Sequence, residues 1–97
     1  MYALAIIRYR KPLEEVLNVI EEHRAYLRGL KEQGLLLASG PFDPRSGGGL
    51  LLRVPEAEAA ASLDRIRDED PFTLSGCGQY ELLPWNPVIG KEGLDGL

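Results

Sequence analysis

The apolar positions of this chain change their spacing several times, and each change marks an element. Residues 2–9, YALAIIRY, form a short run of apolar and β-prone side chains, which predicts a strand. Lys11-Pro12 punctuates its end. From Leu13 to about Gln33 the apolar residues Leu13, Val16, Leu17, Ile20, Leu27 and Leu30 recur at helical spacing. Glu14, Glu15, Glu21, Glu22, Arg28 and Lys31 fall mostly on the other faces, with acids early and bases late, as the helix dipole favours. Gly34 supplies a C-terminal stop, and the helix runs for roughly five to six turns at about 3.6 residues per turn.

The second half repeats the alternation. LLLASGPF, residues 35–42, and GLLLRV, residues 49–54, are two further strands, and DPRSGGG between them has the composition of a hairpin turn, with the triple glycine at its tip. Pro55 stops the third strand. Residues 56–69, EAEAAASLDRIRDE, are rich in alanine and acids and predict a second helix, ended by Asp70-Pro71 because the residue before proline is driven away from helical angles. CGQYELLPW, residues 77–85, is the last strand, and the tail of about residues 86–97, with proline and three glycines, reads as irregular. The order β-α-β-β-α-β over residues 1–97 is that of a single α+β domain, a ferredoxin-like sandwich: a four-stranded antiparallel sheet with both helices on one face.

The strands carry a second message. An antiparallel sheet with one wet face alternates apolar and polar residues. ALAII, LLLA and LLL do not alternate, so both faces of this sheet are apolar, yet two helices cover only one of them. A second copy packed sheet against sheet, a homodimer, is the economical cover.

Composition narrows the partners. Ninety-seven residues with 44% hydrophobic and 27% charged side chains suit one soluble domain. A net charge of -4 and a pI near 4.9, with bases interspersed among acids, argue against nucleic acid or an anionic membrane as partner. The N-terminal run ends in Arg8 and Arg10 rather than in a small-residue cleavage site, and no stretch of about 18 apolar residues occurs, so a cytoplasmic protein is expected. One cysteine, Cys77, excludes an internal disulfide and reads as a small buried hydrophobe in a strand.

Candidate chemistry centres on His23, the one histidine. Three residues after Ile20 and four before Leu27, it flanks the helix stripe that faces the sheet. There it serves either as a packed side chain with one hydrogen-bonded nitrogen or as a general acid or base, which needs a partner to fix its tautomer. Asp70 can supply that partner, since the two helices lie side by side; the same Asp-Pro pair is also an N-cap with proline at the first helical position. Ser39 and Gly40 end the second strand and offer a hydroxyl and backbone amides, but no nucleophile elbow surrounds the serine. Arg8 either sits at a sheet edge in water or helps to bind an acid. Tyr80 and Trp85 read as core or interface aromatics. No metal-ligand set and no phosphate loop is present, so neither metal nor cofactor is expected.

EEHRAYLRGLKEQGLLLASGPFDP, the glycine hairpin, the acidic helix, and DEDPF followed by GCGQYELLPWNP together resemble the YCII-related family over nearly the whole chain. That resemblance implies a dimeric α+β barrel and a pocket holding a catalytic His-Asp dyad, which falls on His23 and Asp70. The SGP strand end and the DPF turn help to carry the resemblance, and for an enzyme of this kind Arg8, Ser39, Gly40, Pro41 and Phe72 are the expected substrate-holding residues. Two functional classes stay open: a cofactor-free enzyme doing proton chemistry on a small organic acid, of the dehalogenation or isomerisation kind some relatives resemble, and a non-catalytic module binding a small ligand or a protein. A cofactor-free oxygenase rests on fold analogy alone.

Overall fold

The computed structural model describes residues 1–97. Four strands, β1 (Tyr2–Tyr9), β2 (Leu36–Pro41), β3 (Gly47–Arg53) and β4 (Gly78–Trp85), form one sheet in the order β2-β3-β1-β4, and every pairing is antiparallel. The helices are α1 (Leu13–Glu32), α2 (Ala59–Glu69), the one-turn α3 (Pro71–Leu74) and a short α4 (Lys91–Asp95). This is the ferredoxin-like α+β arrangement that the element order predicts. No helix is long and apolar enough to cross a membrane.

Register explains the two-faced strands. Ala3, Ala5 and Ile7 of β1 are almost fully buried; they pair with Leu52, Leu50 and Gly48 on one side and with Pro84, Leu82 and Tyr80 on the other. These positions share one face of the pleat. Val16, Leu27 and Leu30 of α1 and Leu63 and Ile66 of α2 join them in one core. Each large side chain buried there contributes about 1.5–3 kcal/mol. The alternate positions, Leu4 and Ile6, pair with Leu51 and Gly49 and with Leu83 and Glu81 on the opposite face, where both are only half-buried. On or beside that face Leu83, Trp85 and Phe42 keep 37%, 40% and 41% of their surface exposed, a large apolar load for an uncovered sheet.

The structure corrects the pattern-based expectations in two places. The glycine run is not a hairpin tip: Gly47 to Gly49 are the first residues of β3, and the turn lies ahead of them. Strand propensity argues against glycine here, but close approach demands it. A Cβ on Gly47 would lie 1.9 Å from the carbonyl oxygen of Ile7. The tail is not irregular throughout, because α4 forms there and is tied back to the sheet. Tyr2 donates to Asp95, and the guanidinium of Arg53 donates to the carbonyls of Leu94 at 3.1 Å and Leu97 at 2.6 Å. Tertiary contacts order a segment too short and glycine-rich to show a helical period.

α1 brings the site into the core. Its buried residues, Val16, His23, Leu27 and Leu30, are spaced by seven, four and three, so the imidazole is carried on the stripe that packs inward. At the far end of α2 the backbone of Asp70 turns extended (φ -68°, ψ 129°), and its side chain caps α3, with Pro71 at the first helical position. Tyr26 of α1 donates to the carbonyl of Ile66 at 2.8 Å, which holds α1 and α2 together next to Asp70.

Candidate functional site

Asp70 reaches no solvent, yet three donors converge on its carboxyl group. Oδ1 accepts from Nδ1–H of His23 at 2.8 Å and from the backbone N–H of Phe72 at 2.9 Å, while Oδ2 accepts from the hydroxyl of Tyr80. A carboxylate this deep is tolerated only when donors replace its lost water. The cap and the histidine contact are therefore one device: the bend that starts α3 aims the carboxyl group at α1.

The same bond fixes the imidazole. With its hydrogen on Nδ1, the neutral ring carries its lone pair on Nε2. That nitrogen has no hydrogen-bond partner in the chain, and it is not sealed, since Thr73 Oγ1 alone among the fully buried side-chain nitrogens and oxygens lacks a partner. Phe72 stacks on the ring with centroids 3.8 Å apart and planes 7° from parallel, and Tyr9 meets Phe72 edge-on at 5.9 Å. Phe72 has room there because β4 starts with glycine: a Cβ on Gly78 would lie 2.9 Å from Ile7 Cγ2 and 3.2 Å from Phe72 Cβ.

His23 faces a cavity of about 190 Å³ between α1, the end of β2 and the start of β3. This is smaller than the roughly 300–1,000 Å³ of sites for drug-sized ligands, and it suits a small metabolite. Ser39, Gly40 and Pro41 form one wall, Phe72 lies beside the histidine, and Asp70 stays behind it. Arg8 is not part of this cavity. Period two turns it to the face opposite Ile7 and Tyr9, where its exposed guanidinium pairs with Glu81 at 2.8 Å. Three residues that the sequence pattern does not single out do belong to the site. Tyr80 is an alternating strand residue that the pattern assigns to the core, and Arg24 and Arg45, which line the cavity, carry no motif.

Burial raises the pKa of Tyr80 far above the usual phenol range, and the adjacent Asp70 charge and the hydrogen bond to it push the same way. Burial, followed by the charges of Glu69 and Asp70, moves Tyr26 up to about 12. Both remain phenols and donors at physiological pH. Their folded-state pKa values exceed the unfolded value near 10. The stability they contribute is therefore complete below pH 10 and is lost as pH rises above it, for Tyr26 through about 12. Absorbance titration should show Tyr80 failing to ionise until the chain unfolds in alkali and Tyr26 ionising only towards about pH 12. Ionisation of Tyr26 and Tyr80 near pH 10 with the fold intact would contradict this.

With the geometry in place, comparison with known proteins supplies the family. A sequence model of the YCII-related domain matches residues 1–86. This chain belongs to the YCII-related family. Among solved structures it is similar to 5-chloro-2-hydroxyhydroquinone dehydrochlorinase (TftG) from Burkholderia phenoliruptrix, determined in complex with 2,5-dihydroxybenzoquinone. The TM-score is 0.72 at 22% identity, covering 91% of this chain and 96% of that one, so the two share their fold. Among curated proteins none matches. The matched segment contains His23, Asp70 and Tyr80, and it ends before α4.

Proposed function

We propose that this YCII-related protein is a cofactor-free enzyme in which His23 moves a proton to and from a small organic acid. One observation carries the reading: an imidazole locked through Nδ1 onto a buried, triply hydrogen-bonded carboxylate, with Nε2 unpartnered and its ring on a cavity of metabolite size. Nε2 takes a proton from the substrate, from a hydroxyl or from carbon next to a carbonyl. Asp70 then stabilises the imidazolium, and Tyr80 and the Phe72 amide keep Asp70 in place. The electron pair released from the broken bond either expels a leaving group from a neighbouring atom or shifts a double bond, and the imidazolium returns its proton to the departing or rearranged group. TftG is described as a dehydrochlorinase, which belongs to this reaction class, and the quinone bound to it is of a size such a cavity holds. Positioned proton transfer of this kind accelerates a step by about 10²–10⁴-fold.

The test is proton exchange. Small enolisable acids and hydroxyquinones, 2,5-dihydroxybenzoquinone among them, are incubated with the protein in heavy water and followed by NMR. Exchange or conversion of at least one compound above the buffer rate supports the reading. Equal rates with and without protein across the whole panel defeat it and leave a ligand-binding module.

The same reading makes the working unit a homodimer closed over the open sheet face, since Leu4, Ile6 and Leu51 are only half-buried and Leu83 and Trp85 are exposed in the single chain. A cytoplasmic setting suits its one cysteine, a buried free thiol. Sedimentation should give a dimer, and Leu51→Lys, which places a charge in the middle of that face, should give a folded monomer. A monomeric wild-type protein at micromolar concentration would refute the dimer.

A further inference from the structure

The cavity is chemically lopsided. Besides His23, the charged side chains lining it are Arg24 and Arg45, and no aspartate or glutamate shares the wall. The chain as a whole has the opposite bias, with 15 acids against 11 bases. Arg45 meets no carboxylate within the fold, and Arg24 meets only one at the surface. Arg45, on the β2–β3 loop, donates from Nε to the hydroxyl of Tyr9 at 3.4 Å and has no carboxylate partner within 4.0 Å. Arg24 has one contact, to the exposed Glu21 at 3.3 Å, and surface pairs of this kind are readily exchanged. The rest of the lining is uncharged, with Ile20 and Leu27 from α1, Leu50 of β3 beside its strand partner Ser39, and the hydroxyls of Tyr9 and Ser39. A positive pair over such a wall fits a compact ligand with a hydrocarbon body and one anionic end.

The geometry points to Arg45, with Arg24, as the residues that select a carboxylate-bearing substrate and hold its charge so that the reacting atom faces Nε2 of His23. This rests on the acid–base reading only for the role of the histidine; the charge selection stands on the cavity itself. A guanidinium presents a planar fork that matches a carboxylate with two parallel bonds, which fixes both the position and the orientation of the ligand. The role expected of Arg8 passes to these two, because Arg8 is committed to Glu81 on the other face.

Binding of benzoate, salicylate and maleate is measured by NMR titration beside benzamide, salicylamide and maleamide. Each acid should bind more tightly than its neutral amide by about 10- to 100-fold, the range for hydrogen bonds to charged groups. Arg45→Gln and Arg24→Gln should each remove most of that preference, and Arg45→Lys should restore only part of it. Arg65→Gln, an exposed arginine of α2 outside the cavity, makes the same change in net charge and should leave the preference intact. Acid binding should also weaken with added salt, as the screening length falls from about 10 Å at 0.1 M to about 3 Å at 1 M. Amides that bind as well as acids, an Arg45→Gln protein with unchanged preference, or no acid bound at 10 mM would each overturn the assignment. Arginine-dependent acid binding with no proton exchange would retain it while refuting the enzyme reading.

Discussion

Asp70→Ala is expected to destabilise the fold by about 3–5 kcal/mol, the range for breaking a buried charged pair. The carboxyl group is fully buried, and its loss strands three donors at once: Nδ1–H of His23, the Tyr80 hydroxyl and the Phe72 amide. Water cannot easily reach them, and each unsatisfied donor costs about 1–3 kcal/mol. The cap of α3 goes as well, and with it the placement of Phe72 against the imidazole. Against a total stability of about 5–15 kcal/mol for a domain of this size the loss is large, and the melting temperature should fall by more than 10 °C at about 4–8 °C per kcal/mol. Asp70→Asn separates fold from chemistry. It keeps the volume and one acceptor, so the fold survives better, but its amide can donate to Nδ1 and move the ring hydrogen to Nε2. A folded Asp70→Asn protein without activity is the expected outcome of urea unfolding combined with a turnover assay. A fully active one would show that the tautomer does not matter.

His23→Ala should remove the chemistry, lowering kcat by about 10²–10⁴-fold, the usual worth of a positioned general base. KM should change little, because on this account the substrate is held by the cavity wall and by Arg24 and Arg45 rather than by the imidazole. Stability should fall by less than in Asp70→Ala, since two of the three donors to the carboxylate remain. Steady-state kinetics on any compound that exchanges protons decides it. A His23→Ala protein with unchanged kcat, or one whose loss lies wholly in KM, would make the histidine a binding or packing residue.

How far the sequence could carry this varies from element to element. β1, α1 and β4 are legible almost to the residue, because each combines a clear run or period with a proline or glycine stop. The uncovered sheet face is legible too, as LLL in β3 and ALAII in β1 leave no polar positions to meet water. The start of β3 is not, since a strand made of Gly47, Gly48 and Gly49 has no propensity to announce it and exists only because the backbone of β1 comes so close. His23 and Asp70 stand out by residue type and by the proline that follows Asp70. Their contact spans 47 residues and depends on how α1 packs against the α2–α3 bend, which no local pattern encodes. Tyr80 looks like any core aromatic until the carboxylate beneath it is seen. Arg8 shows the converse failure: residue type suggests a binding role, and alternation along β1 turns it away from the site.

The central claim is that the imidazole of His23 is held by Nδ1 and offered by Nε2. Long-range nitrogen–proton NMR of the ring reads this directly because protonated and bare ring nitrogens resonate far apart. The account predicts a hydrogen on Nδ1 and a bare Nε2, with the Nδ1 signal lost from that position in Asp70→Ala. A hydrogen on Nε2 in the wild-type protein, or rapid averaging between the two nitrogens, would contradict it.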